Sequence, residues 1–184
     1  AYTTQLAVFY LIVARMAHSR GVFDDAQTQS FVRELQRTPE VMKKVLERRR
    51  DIHVVAKKVL GAKDLFMIGR GLDYSILLEG SLKLKEVSYI HSEAYASGEL
   101  KHGPIALITQ DTPVVATVTQ EKLMSKELSN IKEVKSRGAD VVVFIKESIV
   151  GDLEKEYEIF TLPDMQDEFM VLPASAALQL LAYY

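Results

Sequence analysis

Asp64-Leu65-Phe66-Met67-Ile68, closed by Gly69-Arg70-Gly71, is the stretch on which the fold turns. It is a short apolar run bounded by glycine, the pattern of a strand buried on both faces. A helix follows from about Tyr74 to Tyr89, and the rhythm then recurs. Pro113 to Thr119 reads as a second strand, and Lys122 to Arg137 as a helix stopped by Gly138. Asp140 to Ile145 reads as a third strand, Tyr157 to Leu162 as a fourth and more polar one, and Asp167 to Tyr184 as the last helix. Strand and helix in alternation make parallel βαβ units. The expected fold class is α/β: a mostly parallel sheet flanked by helices on both faces, in three layers.

Upstream, Ala1 to Ser19 reads as a helix closed by Gly21. Its apolar run, Leu6 to Ala14, is shorter than the roughly 20 residues that span a bilayer, so it reads as a buried helix. The run lacks the basic leader and small-residue cleavage site of a signal peptide. Asp24 to Thr38 is polar and reads as a linker. Thr38 as N-cap and Pro39 at the first helical position open a long helix that runs to about Leu60 and stops at Gly61. The chain starts at Ala1 and ends at Tyr183-Tyr184 inside helical patterns, so both ends read as cuts in a longer protein.

Composition narrows the classes. The 184 residues suffice for one domain with a real core, at 48% hydrophobic and 26% charged. A net charge of -2, with no basic stripe, gives no reason to expect nucleic acid. The absence of cysteine removes disulfides, thiolate zinc sites and thiol nucleophiles, and fits a cytoplasmic protein.

Two constellations carry chemistry. Glu79, Lys83 and Glu86 fall at i, i+4 and i+7, within an arc of about 60° on one helix face. Ile76, Leu77, Leu78, Leu82, Leu84 and Val87 around them should bury most of that helix. The row is either a pair of surface salt bridges or a carboxylate base tuned by a lysine, as aldose–ketose isomerisation requires. Gly98-Glu99-Leu100-Lys101-His102-Gly103-Pro104 is the second, inside a segment Ser92 to Pro104 that reads as a loop, with room for a short helix. It is either a surface turn with incidental charges or a histidine poised to move protons near neutral pH. His91, Glu93, Glu99 and His102 lie close in sequence, but their spacing matches no metal motif. Gly69-Arg70-Gly71-Leu72-Asp73-Tyr74 has Tyr74 where a dinucleotide fingerprint needs glycine. Arg70 could hold a phosphate, but Asp73 opposes an anion and a plain tight turn fits better. No serine sits in an acyl-transfer elbow. His18 and His53 read as structural.

Glu79-Gly80-Ser81-Leu82-Lys83-Leu84-Lys85-Glu86, followed by Ser92-Glu93-Ala94-Tyr95-Ala96-Ser97-Gly98-Glu99-Leu100-Lys101-His102-Gly103-Pro104, resembles the glucosamine-6-phosphate synthase family, the isomerizing glutamine–fructose-6-phosphate aminotransferases. The resemblance is continuous along the chain and densest from Phe66 to Leu107. It implies a sugar isomerase (SIS) type three-layer fold. Residues 1–37 would be the last helix of a preceding SIS lobe plus a linker, and 38–184 the second lobe. By resemblance Glu86 moves the proton between C1 and C2 of the sugar, with Lys83 beside it. His102 opens the fructose 6-phosphate ring, reaching across a homodimer interface into the partner's site. Glu79, Glu99 and Lys101 take supporting roles. The parent would use glutamine-derived ammonia to make glucosamine 6-phosphate for amino sugar biosynthesis, with no cofactor, metal, nucleic acid or membrane. The family's phosphate-binding lobe, its glutaminase domain with a cysteine nucleophile and its C-terminal lysine tail fall outside this chain, which alone should be inactive. Two other readings stay open: another SIS sugar-phosphate isomerase or deaminase, and a sugar-phosphate-binding SIS module without catalysis. If a first lobe is missing, the helix with Leu6 to Ala14 has lost its cover.

Overall fold

A computed structural model describes residues 2–184. Its helices are α1 (Tyr2–Ser19), α2 (Asp25–Glu47), α3 (Arg49–Val59), α4 (Leu72–Ser88), α5 (Met124–Ser136) and α6 (Val171–Tyr183). Its strands are β1 (Asp64–Gly69), β2 (His91–Ala96), β3 (Pro113–Val118), β4 (Asp140–Lys146) and β5 (Glu158–Leu162). All five pair in parallel in the order β2-β1-β3-β4-β5. The β1 stretch that opened the reading is the second strand from the edge. Leu65 and Met67 point to one layer, packing with buried residues of α2, α3, α4 and α6. Phe66 and Ile68 point to the other, among Leu100, Ile105 and Ile108 of the β2–β3 crossover and Ile131 and Val134 of α5. Burial on both faces is what a continuous apolar strand demands, and the three-layer α/β fold is the one expected.

Four expectations need correction. The polar stretch Asp24 to Thr38 is not a linker; it is the first half of α2. Asp24 accepts the Gln27 amide at 2.7 Å while the Gln27 side chain accepts the Asp24 amide at 2.9 Å, a capping box that starts the helix there rather than at Thr38. Pro39 lies inside α2, at a cost of about 3 kcal/mol in an ordinary helix. The stripe Phe31, Leu35, Val41 and Val45 packs into the core and outweighs it, at about 1.5–3 kcal/mol per fully buried aliphatic side chain.

The long helix also breaks at Arg48. Its guanidinium donates to the Thr161 carbonyl at 2.6 Å and lies 4.5 Å from the Phe160 ring centre, tying the break to β5.

Third, the segment Ser92 to Pro104 does not begin as loop: its first residues belong to an edge strand, His91–Ala96, so the sheet has one strand more than the sequence suggested. Its Ser92 is fully buried and exchanges hydrogen bonds with Ser81 of α4, Ser81 Oγ to the Ser92 carbonyl at 2.7 Å and Ser92 Oγ to the Ser81 carbonyl at 2.8 Å. A polar residue enters the sheet there because its hydroxyl is satisfied.

Fourth, the Leu6–Ala14 run is not buried. Only Ala14 is; Val8, Phe9, Ile12 and Val13 are about half exposed or more. The description of an apolar face without cover fits it instead. Tyr10 holds α1 in place, stacked on Phe169 with ring centres 4.9 Å apart. Among the described residues no helix is long and apolar enough to cross a membrane.

Candidate functional site

Helix α4 begins where Gly69-Arg70-Gly71 turns the chain off β1. Gly71 has φ +56°, which an L side chain resists. A Cβ on Gly69 would lie 2.9 Å from the Asp73 carbonyl carbon, so the first turn of α4 packs directly on the strand end. The plain tight turn is what the structure has. The Leu72 amide is taken by the Gln120 side-chain oxygen at 2.6 Å. Asp73 is buried and accepts from Thr119 N at 2.9 Å and Thr119 Oγ1 at 2.5 Å. Burial raises Asp73 to about 6 against the lowering effect of those hydrogen bonds. In an open parallel sheet ligands favour the place where strand order reverses, here between β1 and β3. In this chain Asp73, Thr119 and Gln120 form hydrogen bonds across it.

Down α4, Ile76, Leu77, Gly80, Ser81 and Leu84 are buried. Glu79 and Lys83, half-buried, and Glu86, exposed, run along the flank of that buried stripe and meet as their spacing required. Lys83 Nζ is 2.6 Å from Glu86 Oε2 and 3.6 Å from Glu79 Oε1. The hydrogen bond to Glu86 leads the effects that hold the Lys83 ammonium above the ordinary lysine range, with Glu79 adding to it. Lys83 is thus a cation between two carboxylates, suited to steady negative charge and not to attack a carbonyl. The helix is less buried than its composition suggested: Leu78, Leu82 and Val87 stay exposed and flank the charged row.

The second constellation lies past β2. Ser97–His102 forms a 3-10 turn and Pro104–Leu107 another, joined at Gly103 with φ +145°. Ser97, Leu100 and Ile105 are buried and pin the crossover. His102 and Glu99 are exposed, with His102 Nε2 3.8 Å from Glu99 Oε2. Lys101 turns to Glu133 of α5 at 2.8 Å.

The two groups occupy different layers. The α4 row is on the side of α6, while the crossover packs with α5 on the other face of the sheet. Among the described residues no hydrogen bond or ion pair links Glu79, Lys83 or Glu86 to Glu99, Lys101 or His102. The chain gathers Glu79, Lys83 and Glu86, pairs His102 with Glu99 but turns Lys101 away to Glu133, and makes no contact of this kind between the two groups.

Residues the sequence reading passed over form a buried polar knot beneath the crossover. The Ser97 hydroxyl donates to Glu127, and Asn130 Nδ2 donates to Ser97 Oγ at 3.0 Å. Burial pushes Glu127 up to about 7, opposed by the Ser97 hydrogen bond. The signal was present in α5: Glu127 and Asn130 share the face of Ile131 and Val134, at helical spacing. His91 bonds Asp64 at 2.8 Å, and among the described residues no three histidine or acidic side chains cluster to hold a metal. His53 stacks on Tyr184 and His18 lies 3.4 Å from the Thr28 hydroxyl. A cleft of about 590 Å³ opens at the amino ends of β1, β2 and β3, beside Lys63, His91 and Asp111. It holds none of the six candidate residues, so size alone does not mark the site.

Comparison with known proteins adds the following. A family model described as SIS domain matches residues 58–181. The glutamine–fructose-6-phosphate aminotransferase (isomerizing) of Caldanaerobacter subterraneus subsp. tengcongensis is 45% identical over 187 residues, covering all of this chain and 30% of that protein. The enzyme of the same name from Methanosarcina acetivorans is 40% identical over 184 residues, again with 30% of its length covered. The chain therefore spans under a third of these relatives. A solved C-terminal domain of glucosamine-fructose-6-phosphate aminotransferase from Francisella tularensis superposes with a TM-score of 0.92 at 33% identity, over 99% of this chain and 51% of that one.

Proposed function

Since the chain belongs to the SIS domain family, we propose that it is the second SIS lobe of a glutamine–fructose-6-phosphate aminotransferase and carries part of its sugar-isomerising machinery. The observation that carries this reading is the α4 row: Lys83 held between Glu86 at 2.6 Å and Glu79 at 3.6 Å on one face of the helix, with Glu86 half exposed. Ketose–aldose isomerisation moves a proton from C1 to C2, which needs a carboxylate within reach of both carbons. Glu86 is the more exposed acid of the row and takes that role. Lys83, fully charged, steadies the negative charge that develops on the substrate as C1 loses its proton. Glu79 holds Lys83 from the other side.

His102 opens the ring of fructose 6-phosphate by trading a proton with the ring oxygen and the anomeric hydroxyl, and Glu99 and Lys101 shape its turn. Its layer differs from that of Glu86, which supports a homodimer in which His102 serves the partner's site. Residues 25–184, from the capped start of α2 onward, belong to this lobe, and α1 is the last helix of the lobe before it; the uncovered apolar side of α1 supports that placement. The sugar phosphate is gripped by residues outside this chain, and ammonia comes from a glutaminase domain also outside it.

The test is Glu86→Gln in the full reading frame. Glucosamine 6-phosphate formation should fall by about 10²- to 10⁴-fold, the usual range for a lost general base, with glutamine hydrolysis retained. A synthase rate equal to wild type removes Glu86 from the chemistry. The purified 184-residue chain, given fructose 6-phosphate and ammonia, should form no glucosamine 6-phosphate; steady turnover would show that this lobe needs no other part.

A further inference from the structure

The crossover from β2 to β3 presents His102 to solvent, yet its stem is gripped along its length. At the start, the buried Ser97 donates its hydroxyl to Glu127 and accepts from Asn130 at 3.0 Å. At Gly98 the Arg70 guanidinium lies so close that a Cβ would sit 2.8 Å from its Nη1. Further on, Lys101 meets Glu133 at 2.8 Å, and Arg137 reaches the Ile105 carbonyl at 3.5 Å. Glu127, Asn130, Glu133 and Arg137 all come from α5 or its C-terminal cap and follow one another at helical spacing. One side of one helix therefore holds the crossover in register.

Glu127 is the costly member of that row. It is 2% exposed, and among the described residues its Oε1 has no hydrogen-bond partner. A buried carboxylate oxygen left unpaired is destabilising and calls for a reason. The charged groups that face it are Arg70 of the β1–α4 turn and Asp73 of α4.

We propose that Glu127 is a positioning residue: through Ser97 it fixes where the crossover leaves β2, and so where His102 stands in the isomerising site. This rests on the reading of His102 given above. Ser97 and His102 are the two ends of a single 3-10 turn, so a shift at one end is passed to the other. Gly103 follows at φ +145° and gives no such support. A misplacement of about 1 Å in a catalytic group can cost roughly 100-fold in rate. Burial pushes Glu127 up to about 7, so its protonated and ionised forms share the neutral range. A glutamine is its close stand-in.

The experiment uses the full reading frame and measures kcat/KM for glucosamine 6-phosphate formation, with the Tm of each variant as the folding control. Glu127→Ala and Ser97→Ala should each lose about tenfold or more, within the 100-fold bound above, while Glu127→Gln recovers most of the rate and flattens the pH profile between 6 and 8. The double variants Glu127→Ala/His102→Ala and Ser97→Ala/His102→Ala should be no slower than His102→Ala alone, because the anchor acts only through the histidine. Losses that add to that of His102→Ala would overturn the proposal, as would wild-type rates in both single variants. Should Glu127→Ala fail to fold, Ser97→Ala carries the same comparison. A wild-type rate in His102→Ala overturns the functional reading of the loop itself, and the anchor falls with it. That outcome differs from failure of the anchor alone, in which His102→Ala is slow and Ser97→Ala is not.

Discussion

Replacing Glu127 by glutamine should change how the stability of this chain depends on pH. Burial raises Glu127 from the ordinary 4.5 to about 7. The folded protein therefore keeps a proton that the unfolded chain releases from about pH 4.5 upward. Stability is lost as pH rises through that window and levels off above the folded value. The gap corresponds to about 3 kcal/mol at 1.36 kcal/mol per pH unit, and most of it falls between pH 5 and pH 8. A glutamine side chain does not ionise, so the variant lacks this slope. In a chain of this size 1 kcal/mol is about 2–4 °C in Tm. The variant should gain roughly 5–10 °C on wild type between pH 5 and pH 8. Asp73, raised to about 6, titrates in both proteins and largely cancels in the difference. Thermal unfolding of both chains at half-unit pH steps is the assay. Parallel Tm profiles from pH 5 to pH 8 would mean that Glu127 ionises as a solvated carboxylate, and the buried-knot account would be wrong.

Other consequences are simpler to state. Asp24→Ala removes the cap of α2 and should cost about 1 kcal/mol in chemical denaturation; no change would mean that the capping box does not hold the start of α2. At Gly80 a Cβ would meet Leu178 Cδ1 at 2.9 Å, where α4 crosses α6. Gly80→Val should therefore destabilise by about 2 kcal/mol or more from overpacking, and an unchanged denaturation midpoint would place the two helices further apart. Lys83→Met should leave Tm within about 2 °C, since exposed ion pairs contribute little. The same variant should slow sugar isomerisation in the full reading frame at least about tenfold; a large Tm loss with an unchanged rate would make the row structural.

What was legible in the sequence depended on whether the partner of each residue was near it. β1, β3 and β4 could be read because both of their faces are apolar, so the run itself reports burial. β2 could not: His91-Ser92-Glu93 is polar, and Ser92 is satisfied by Ser81 of the preceding helix. Pairing of that kind leaves no periodic trace. At α2 both signals were present, Asp24 with Gln27 and Thr38 with Pro39, and the second misled because proline at a first helical position is the commoner use. Burial of Val41 and Val45 against the core decided it. The α4 row was legible from i, i+4, i+7 spacing alone, since its partners lie on one helix. Glu127 was not, because a carboxylate on a helix reads as surface unless its hydroxyl partner, here Ser97, is known from the fold.

That Glu86 and His102 sit in different layers has a consequence that can be measured without a structure of the dimer. In a twofold dimer whose sites each take Glu86 from one chain and His102 from the other, two defective chains can repair each other. Pair a Glu86→Gln chain with a His102→Ala chain. One site then receives intact Glu86 from the second chain and intact His102 from the first, and the other site receives both lesions. Random pairing of equal amounts gives half heterodimers with half their sites intact, so about a quarter of wild-type activity should return. If both residues serve the site of their own chain, each site of the heterodimer keeps one lesion and the mixture is as inactive as its components. Co-expression of the two full-length variants under separate tags, with tandem purification of the heterodimer, decides between the arrangements. About half of wild-type activity in that fraction supports the exchange, and a residual rate matching the parent variants refutes it.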